Sequence, residues 1–317
     1  MALRFTLRQL EYFVAVGEAG SILIAAEKVN VSSPSISAAI CQLEGEFGLQ
    51  LFVRKHAKGL ALSQAGRQFM VQAKEVLLQA NGLNQLAGEI LGNVQGPLAV
   101  GCLLTFAQLI VPQLRRKFET RYPDVRVSQY EMDQSEIFNS VRNGKIDLAL
   151  TYDLEIPPDL TFLPLAVLPP YAIFAQSHPL AHLAEVSVDD LISYPMILLD
   201  LPFSSDYFLS FFKKAGSKPI IAERTRDMAV MRSLVGNGFG YGIANIRPMN
   251  DLSPDGSKLC FVPLVGTLRP MTMGLVMSEA AQNVLTVRSF ADHCRQVMSE
   301  GNVPGLAAKA PVVSTKT

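Results

Sequence analysis

The spacing of apolar residues changes character along this chain, and each change marks a boundary between architectures. Thr6 can cap a first helix in which Leu7, Leu10, Phe13 and Val14 recur at helical spacing. Within Ser21–Glu44, SILIAAEKVNVSSPSISAAICQLE, the positions Ile22, Ala25, Ala26 and Val29 predict a second, short helix. Asn30 and Val31 break that pattern. Ser32 or Ser33 can cap a third helix, with Pro34 in its first turn, where a missing N–H costs nothing. This helix buries Ile36, Ile40 and Leu43 and turns Ser33, Ser35, Ser37 and Ala38 outward. Two short helices joined by a tight turn, the second with a small-residue face at its N-terminal end, predict a helix-turn-helix able to sit deep in a DNA major groove. Three ordinary core helices would show the same periodicity. The next stretch of chain shifts the balance: Gly48 ends the third helix, and a basic, hairpin-like wing runs from Leu51 to Leu62.

After Ser63 a long helix continues to about Leu91. Phe69, Ala73, Val76, Ala80, Leu83, Ala87 and Ile90 are separated alternately by four and three residues, a heptad seam that predicts pairing with a second copy. A packed helix of the same chain is the plainer alternative. A homodimer seam at this place would hold two DNA readers at a fixed separation, as two-fold symmetric sites require.

Gly92–Pro97 is a hinge into alternating strands and helices. The pattern predicts strand 98–103, helix 106–121, strand 125–130, helix 135–143 and strand 146–151. A second set comes next: strands near 161–167 and 171–175, helix 187–193, strand 196–199, helix 205–215, strand 219–223, helix 226–236 and strand 240–244. Strands near 260–264 and 271–277 and a helix 281–299 come last. This alternation implies two α/β lobes built on mostly parallel sheets, with the last strand and helix returning to the first lobe. Lobe I is expected at about 95–163 and 268–300, lobe II at about 164–267. The Pro/Ala-rich residues Gly301–Thr317 are expected to be a disordered tail.

Composition adds limits. A hydrophobic fraction of 49% excludes a largely disordered chain, and a net charge of zero announces no nucleic-acid partner. The local count differs: residues 1–67 hold seven basic and five acidic residues, and four of the bases fall in 51–67, where there is no acid. Positive charge therefore sits on the wing, suited to phosphate contacts. Cys41, Cys102, Cys260 and Cys294 are too scattered for a metal or redox motif and read as reduced thiols. No signal-peptide pattern or membrane span emerges, so a cytoplasmic protein with no membrane association is expected. His56, His178, His182 and His293 make no metal-ligand spacing, and no nucleophile elbow or Cys/His pairing appears. The run GNGFGYG, Gly236–Gly242, lacks the glycine spacings and lysine of a nucleotide loop. No catalytic residue, metal or cofactor is expected.

At Leu7–Phe13, Ser21–Glu44, Leu51–Arg54 and Leu62–Gly66 the chain resembles the N-terminal signature of LysR-type transcriptional regulators. Leu98–Gly101, Val111–Pro112, Tyr122–Pro123, Gly144–Leu150, His178–Ala181, Ala215–Gly216 and Gly238–Ala244 extend the resemblance to roughly residue 298. It implies an α+β multidomain fold: a winged helix-turn-helix (1–63), a dimerising linker helix (64–91), and a two-lobed effector-binding domain (92–300) of the kind found in periplasmic binding proteins. It further implies a ligand-responsive regulator of double-stranded promoter DNA with inverted repeats, a homodimer assembling to a homotetramer, and contact with RNA polymerase. In open α/β sheets ligands bind at the C-terminal ends of strands, which fall here at Leu103–Thr105, Met132–Gln134 and Leu201–Ser205. By position in the family pattern, Thr105 and Gln134 match effector contacts of the first lobe and Pro202, Phe203 and Ser204 those of the second. Tyr152 is expected where the chain crosses between lobes. Plain N-capping is the alternative for Thr105 and Ser204. Asp133 departs from the small residue common in the family, and a carboxylate there would suit an effector bearing a cationic group.

The DNA face departs as well. Family members usually carry Gln at the position of Ser33, a basic residue at that of Ala38, and a basic or polar one at that of Ile24. Arg and Gln make the strong bidentate base contacts, so few are expected here. DNA contact is assigned instead to Ser33, Ser37, Ala38 and close backbone approach at Pro34, with Arg54, Lys55 and Lys58 on the wing and DNA bending in support. The alternative function is a non-enzymatic small-molecule-binding protein with weak or partner-dependent DNA binding. A secreted solute-binding protein would not need residues 1–91, and an α/β enzyme would need a convergent acid, base or nucleophile.

Overall fold

The computed structural model describes residues 4–55, 59–90, 93–298 and 303–307, which divide into two compact units meeting at Asn93–Val94. In the first unit, α1 (Leu7–Ala19) starts from a capping box between Thr6 and Gln9 and stops at Gly20, whose φ of 64° favours glycine. Helix α2 (Ile22–Val29) runs from the Ser21 cap to a left-handed Asn30. Ser32 caps α3 (Ser33–Phe47), Pro34 lies in the first turn, and Gly48, at φ 62°, ends it. Leu10, Phe13, Val16, Ala26, Ile36 and Leu43 form the core between these helices.

Strands β1 (Phe52–Lys55) and β2 (Gly59–Leu62) pair antiparallel, Phe52 opposite Leu62, as the expected wing. Helix α4 (Gln64–Ile90) comes next; its 27 residues span about 40 Å. Its early seam residues serve the unit's own core. The Phe69 ring lies edge-on to Phe13 at 5.4 Å and to Phe47 at 4.9 Å, and Ala73 is buried. Val76 and Leu83 are exposed, Ala80 is half-buried, and the side chains of Ala87 and Ile90 lie outside the described residues.

In the second unit the first lobe begins β3 (Gly96–Cys102), α5 (Leu104–Leu109), α6 (Val111–Arg121), β4 (Val125–Glu131), α7 (Gln134–Arg142), β5 (Leu148–Tyr152) and β6 (Thr161–Leu168). Every residue of β5 is buried, as suits a central strand covered on both faces. The second lobe holds β7 (Tyr171–Ala175), α8 (Val188–Leu191), β8 (Pro195–Leu199), α9 (Ser204–Lys214), β9 (Ile220–Thr225), α10 (Met228–Gly236), β10 (Gly242–Ala244) and β11 (Leu259–Pro263). The chain then returns as β12 (Met271–Met277) and α11 (Leu285–Met298). The first sheet runs β4-β3-β5-β12-β6, with β12 antiparallel to both neighbours. The second lobe has β10-β7-β11 and the pair β8-β9, linked by a bridge from Met196 to Tyr241.

Several expectations need correction. The helix expected over 106–121 is two, because Pro112 has no N–H to offer the Gln108 carbonyl and starts α6 afresh after Ile110. β6 pairs with β12 as far as Leu168, so the first crossing between lobes falls at Pro169–Pro170, beyond the expected 163–164. Tyr152 is consequently not at a crossing; it ends β5, opposite Met273. The tail expected to be disordered is ordered at 303–307. Val303 and Leu306 are buried, Leu306 bridges to Pro248, and Ala307 N–H donates to the Arg247 carbonyl at 2.9 Å. Two apolar side chains in an otherwise small-residue stretch suffice to dock it.

His293 on α11 is buried, with Nε2 donating to the Leu114 carbonyl at 3.1 Å. Burial holds its pKa below the ordinary 6.5, and the half-buried His178 shifts in the same direction for the same reason. The unfolded chain therefore takes up protons that the folded one refuses. The stability that these two imidazoles contribute is fully present above pH 6.5 and is lost as the pH drops below that value. Calorimetric melting across this range should show that fall, and His293→Gln should reduce it, leaving the part due to His178.

Candidate functional site

The expected site residues fall on two surfaces, one in each unit. On the first, Ser32 caps α3 by accepting from Ser35 N at 3.3 Å, and its hydroxyl shares a 2.7 Å hydrogen bond with that of Ser35. This fixes the helix start and leaves Pro34 and Ala38 exposed, with Ser33 and Ser37 half-buried. Leu23 and Ile24 on α2 are 64% and 55% exposed, and α3 carries no basic residue. The face is small and uncharged. Glu44, further along α3, accepts from Leu51 N at 2.7 Å and Phe52 N at 3.2 Å, tying this helix to the wing strand. Sequence reasoning missed Glu44, whose role depends on a strand eight residues away. The side chains of Arg54 and Lys55, and Lys58 entirely, lie outside the described residues.

On the second surface a cavity of about 510 Å³ lies between the lobes, at the C-terminal ends of the strands. Thr105, Asp133, Gln134, Tyr152, Pro202 and Ser204 all line it. Neither Thr105 nor Ser204 is a cap: the N-cap positions of α5 and α9 are Leu103 and Phe203, and neither makes a side-chain capping bond. Phe203 is not among the lining residues. It holds a φ of 64°, a costly conformation for a bulky residue, and its ring faces Phe138 of the first lobe at 6.1 Å. It is an interlobe contact.

The apolar wall includes Leu103, Tyr152, Leu199, Phe208 and Met271. Burial raises the Tyr152 hydroxyl's pKa, and burial also pushes Tyr207 up to about 12, so both stay neutral. Tyr207 donates to the Arg269 carbonyl at 2.7 Å and accepts from Asn245 Nδ2 at 2.9 Å. Asn245 also donates to the Leu168 carbonyl at 2.8 Å. Gln134, almost fully buried, donates from Nε2 to the carbonyls of Tyr152 and Leu154. Across the cavity mouth, Arg226 of the second lobe pairs with Asp133 of the first at 3.2 Å.

Asn245, Arg226 and Asp227 line the cavity without having been foreseen. They stand just past the ends of β10 and β9, so extending the strand-end rule to those strands would have found them. Among the described residues no group of His, Cys, Asp and Glu could hold a metal ion, and the four cysteines are free. No helix there is long and apolar enough to cross a membrane.

Comparison with known proteins matches both units. Residues 91–299 match the LysR substrate binding domain, and residues 7–67 the bacterial regulatory helix-turn-helix protein, lysR family. The chain is 30% identical over 242 residues to the HTH-type transcriptional regulator CysB of Haemophilus influenzae, covering 75% of this chain and 74% of that one. The structure of HinK, a LysR family transcriptional regulator from Pseudomonas aeruginosa, is 33% identical with a TM-score of 0.63, covering 93% and 99% of the two chains. Full-length CbnR complexed with its target DNA is 25% identical with a TM-score of 0.55, covering 92% and 99%. With a helix-turn-helix, a two-lobed cavity and both domain matches in one chain, the protein belongs to the LysR family of ligand-responsive, DNA-binding transcriptional regulators.

Proposed function

We propose that this regulator acts in the cytoplasm, without catalysis, as a homodimer that assembles to a homotetramer on inverted-repeat promoter DNA. The reading rests on the exposed, small-residue start of α3, which allows close backbone approach to base edges at Ser33, Pro34, Ser37 and Ala38. Arg54, Lys55 and Lys58 on the wing grip phosphates, and bending of the DNA supplies the selectivity that an uncharged reading face lacks. Val76, Ala80, Leu83, Ala87 and Ile90 form the pairing face of α4, which Phe69 and Ala73 anchor to the helix-turn-helix. An effector in the interlobe cavity shifts the population of lobe arrangements, and with it the bend and the contact with RNA polymerase.

Fluorescence anisotropy with the DNA upstream of the protein's own gene, in physiological salt with excess competitor, tests this. Binding that survives competition and protects two symmetric half-sites is the expected result. Binding lost to any competitor would favour the weaker alternative, a small-molecule-binding protein whose DNA contact needs a partner. Lys58→Ala should weaken binding to all sequences alike and reduce the slope of affinity against salt by about one. A relaxed preference at one base pair would instead give Lys58 a base-reading role.

A further inference from the structure

Most of the groups at the interlobe cavity that could bind an anion are already engaged within the chain. Helix N-termini attract negative charge through their free N–H groups, and α5, α7, α9 and α10 all begin at this cavity; α5, only six residues long, has no side-chain cap, whereas the starts of the other three are taken up by the chain itself. In α7 the Asp133 carboxylate accepts from Glu136 N at 2.9 Å, and the Glu136 carboxylate returns to Asp133 N at 2.9 Å. In α10 the Asp227 carboxylate accepts from Ala229 N and Val230 N. In α9 the amides of Ser204 and Ser205 donate to the carbonyls of Pro202 and Leu201. Among the described residues, Arg226 is the one basic side chain on the lining, and it is paired with Asp133.

What the lining presents is negative charge. Gln134 and Asn245 are 2% and 3% exposed, line the cavity, and leave Oε1 and Oδ1 without a hydrogen-bond partner. Their orientation is set by chemistry: each amide nitrogen faces backbone carbonyls, which only accept, so the oxygens are turned away from those bonds. Neither oxygen has surface open to the cavity, so each acts on a ligand through its negative potential and not by a direct bond. Glu131, Asp133, Glu136 and Asp227 add four carboxylates to the same lining, against the single guanidinium.

Resting on the effector-binding role proposed above, we infer that the effector is an organic cation: a protonated amine on an apolar body. The amine competes with the Arg226 guanidinium for Asp133 and is drawn by the other carboxylates of the lining. The apolar body rests against Leu103, Phe208 and Met271. Because Arg226 and Asp133 belong to different lobes, an amine that takes Asp133 unfastens a bond between lobes, which gives the ligand differential affinity for two lobe arrangements.

Titration calorimetry on the full chain tests this with matched probes: phenethylamine against hydrocinnamate, and pentylamine against hexanoate. The amines should bind and the carboxylates should not. Asp133→Asn, which keeps a capping side chain, should weaken amine binding about tenfold. Arg226→Gln should tighten it by about threefold, since it removes the internal competitor. Carboxylates that bind, with affinity lost in Arg226→Gln, would overturn the proposal while leaving an effector site in place. Silence of both amines, or amine binding indifferent to Asp133→Asn and Arg226→Gln, would also overturn it. DNA binding followed by anisotropy in the same samples separates the two readings. An amine that binds as described without altering DNA affinity supports the cavity chemistry and overturns ligand responsiveness instead.

Discussion

Gly66→Ala should strongly destabilise the DNA-binding unit while leaving the effector-binding unit intact. Gly66 lies in the first turn of α4, against the end of the loop that leads into the wing. A methyl group built on it would sit 2.0 Å from the Leu51 carbonyl oxygen and 3.0 Å from its carbon. Both are backbone atoms, so no side chain can rotate away. The same carbonyl accepts from Ser63 N at 2.9 Å, and the Ser63 hydroxyl accepts from Gly66 N at 2.8 Å and donates to the Gln50 carbonyl at 2.6 Å. Relief of the clash would therefore separate α4 from the wing and break the network that starts the helix. The cost should be about 3 kcal/mol or more, enough to lower the melting temperature of a unit this size by at least about 12 °C. Gly82→Ala on the same helix is the control: nothing lies within 4 Å of the added methyl, and it should stabilise the helix by about 0.5–1 kcal/mol. Calorimetry of the two variants separates a steric effect from one of helix propensity. Equal melting of both would remove the close approach at Leu51 as the reason for glycine.

Glu44→Ala should fold, but with DNA affinity reduced about tenfold or more. The carboxylate receives two backbone N–H groups at the base of the wing, and charge-assisted bonds of this kind are the stronger ones. Removing it leaves two part-buried donors unmet, at a cost of about 2 kcal/mol. The angle between α3 and the wing loosens, so base-reading and phosphate contacts no longer form together. Glu44→Gln keeps an oxygen acceptor and should recover most of the affinity. If Glu44→Ala binds DNA as tightly as the parent, the wing does not depend on this tie.

Local chemistry made much of the fold readable. Thr6, Ser32 and Gly48 mark helix ends through groups within a few residues of themselves, and β7 announces itself as an unbroken apolar run. Reading failed where distant packing decides. The heptad spacing of α4 is real, yet Phe69 and Ala73 are sunk against Phe13 and the helices around it, which a one-dimensional period cannot distinguish from a seam. Phe203 occupies a position expected to touch ligand, but its backbone turns the ring toward Phe138. The first-lobe side of the cavity, Thr105, Asp133 and Gln134, followed from strand ends close in sequence. Asn245 and Arg226 required knowing which strands of the second lobe point the same way.

The threading of the first sheet bears on how the chain is made. β12 lies between β5 and β6, so until Met271–Met277 leaves the ribosome, β6 has no neighbouring strand and β5 is an open edge. The sheet strands of the second lobe, Tyr171 to Pro263, are contiguous and can close while synthesis continues. Vectorial synthesis therefore delivers the sheets of the second lobe already closed, tethered to an unfinished first lobe, with residues 303–307 docking on Arg247 and Pro248 last. A stop codon anywhere before residue 271 leaves a strand edge bare, a template for aggregation as well as a missing cavity wall.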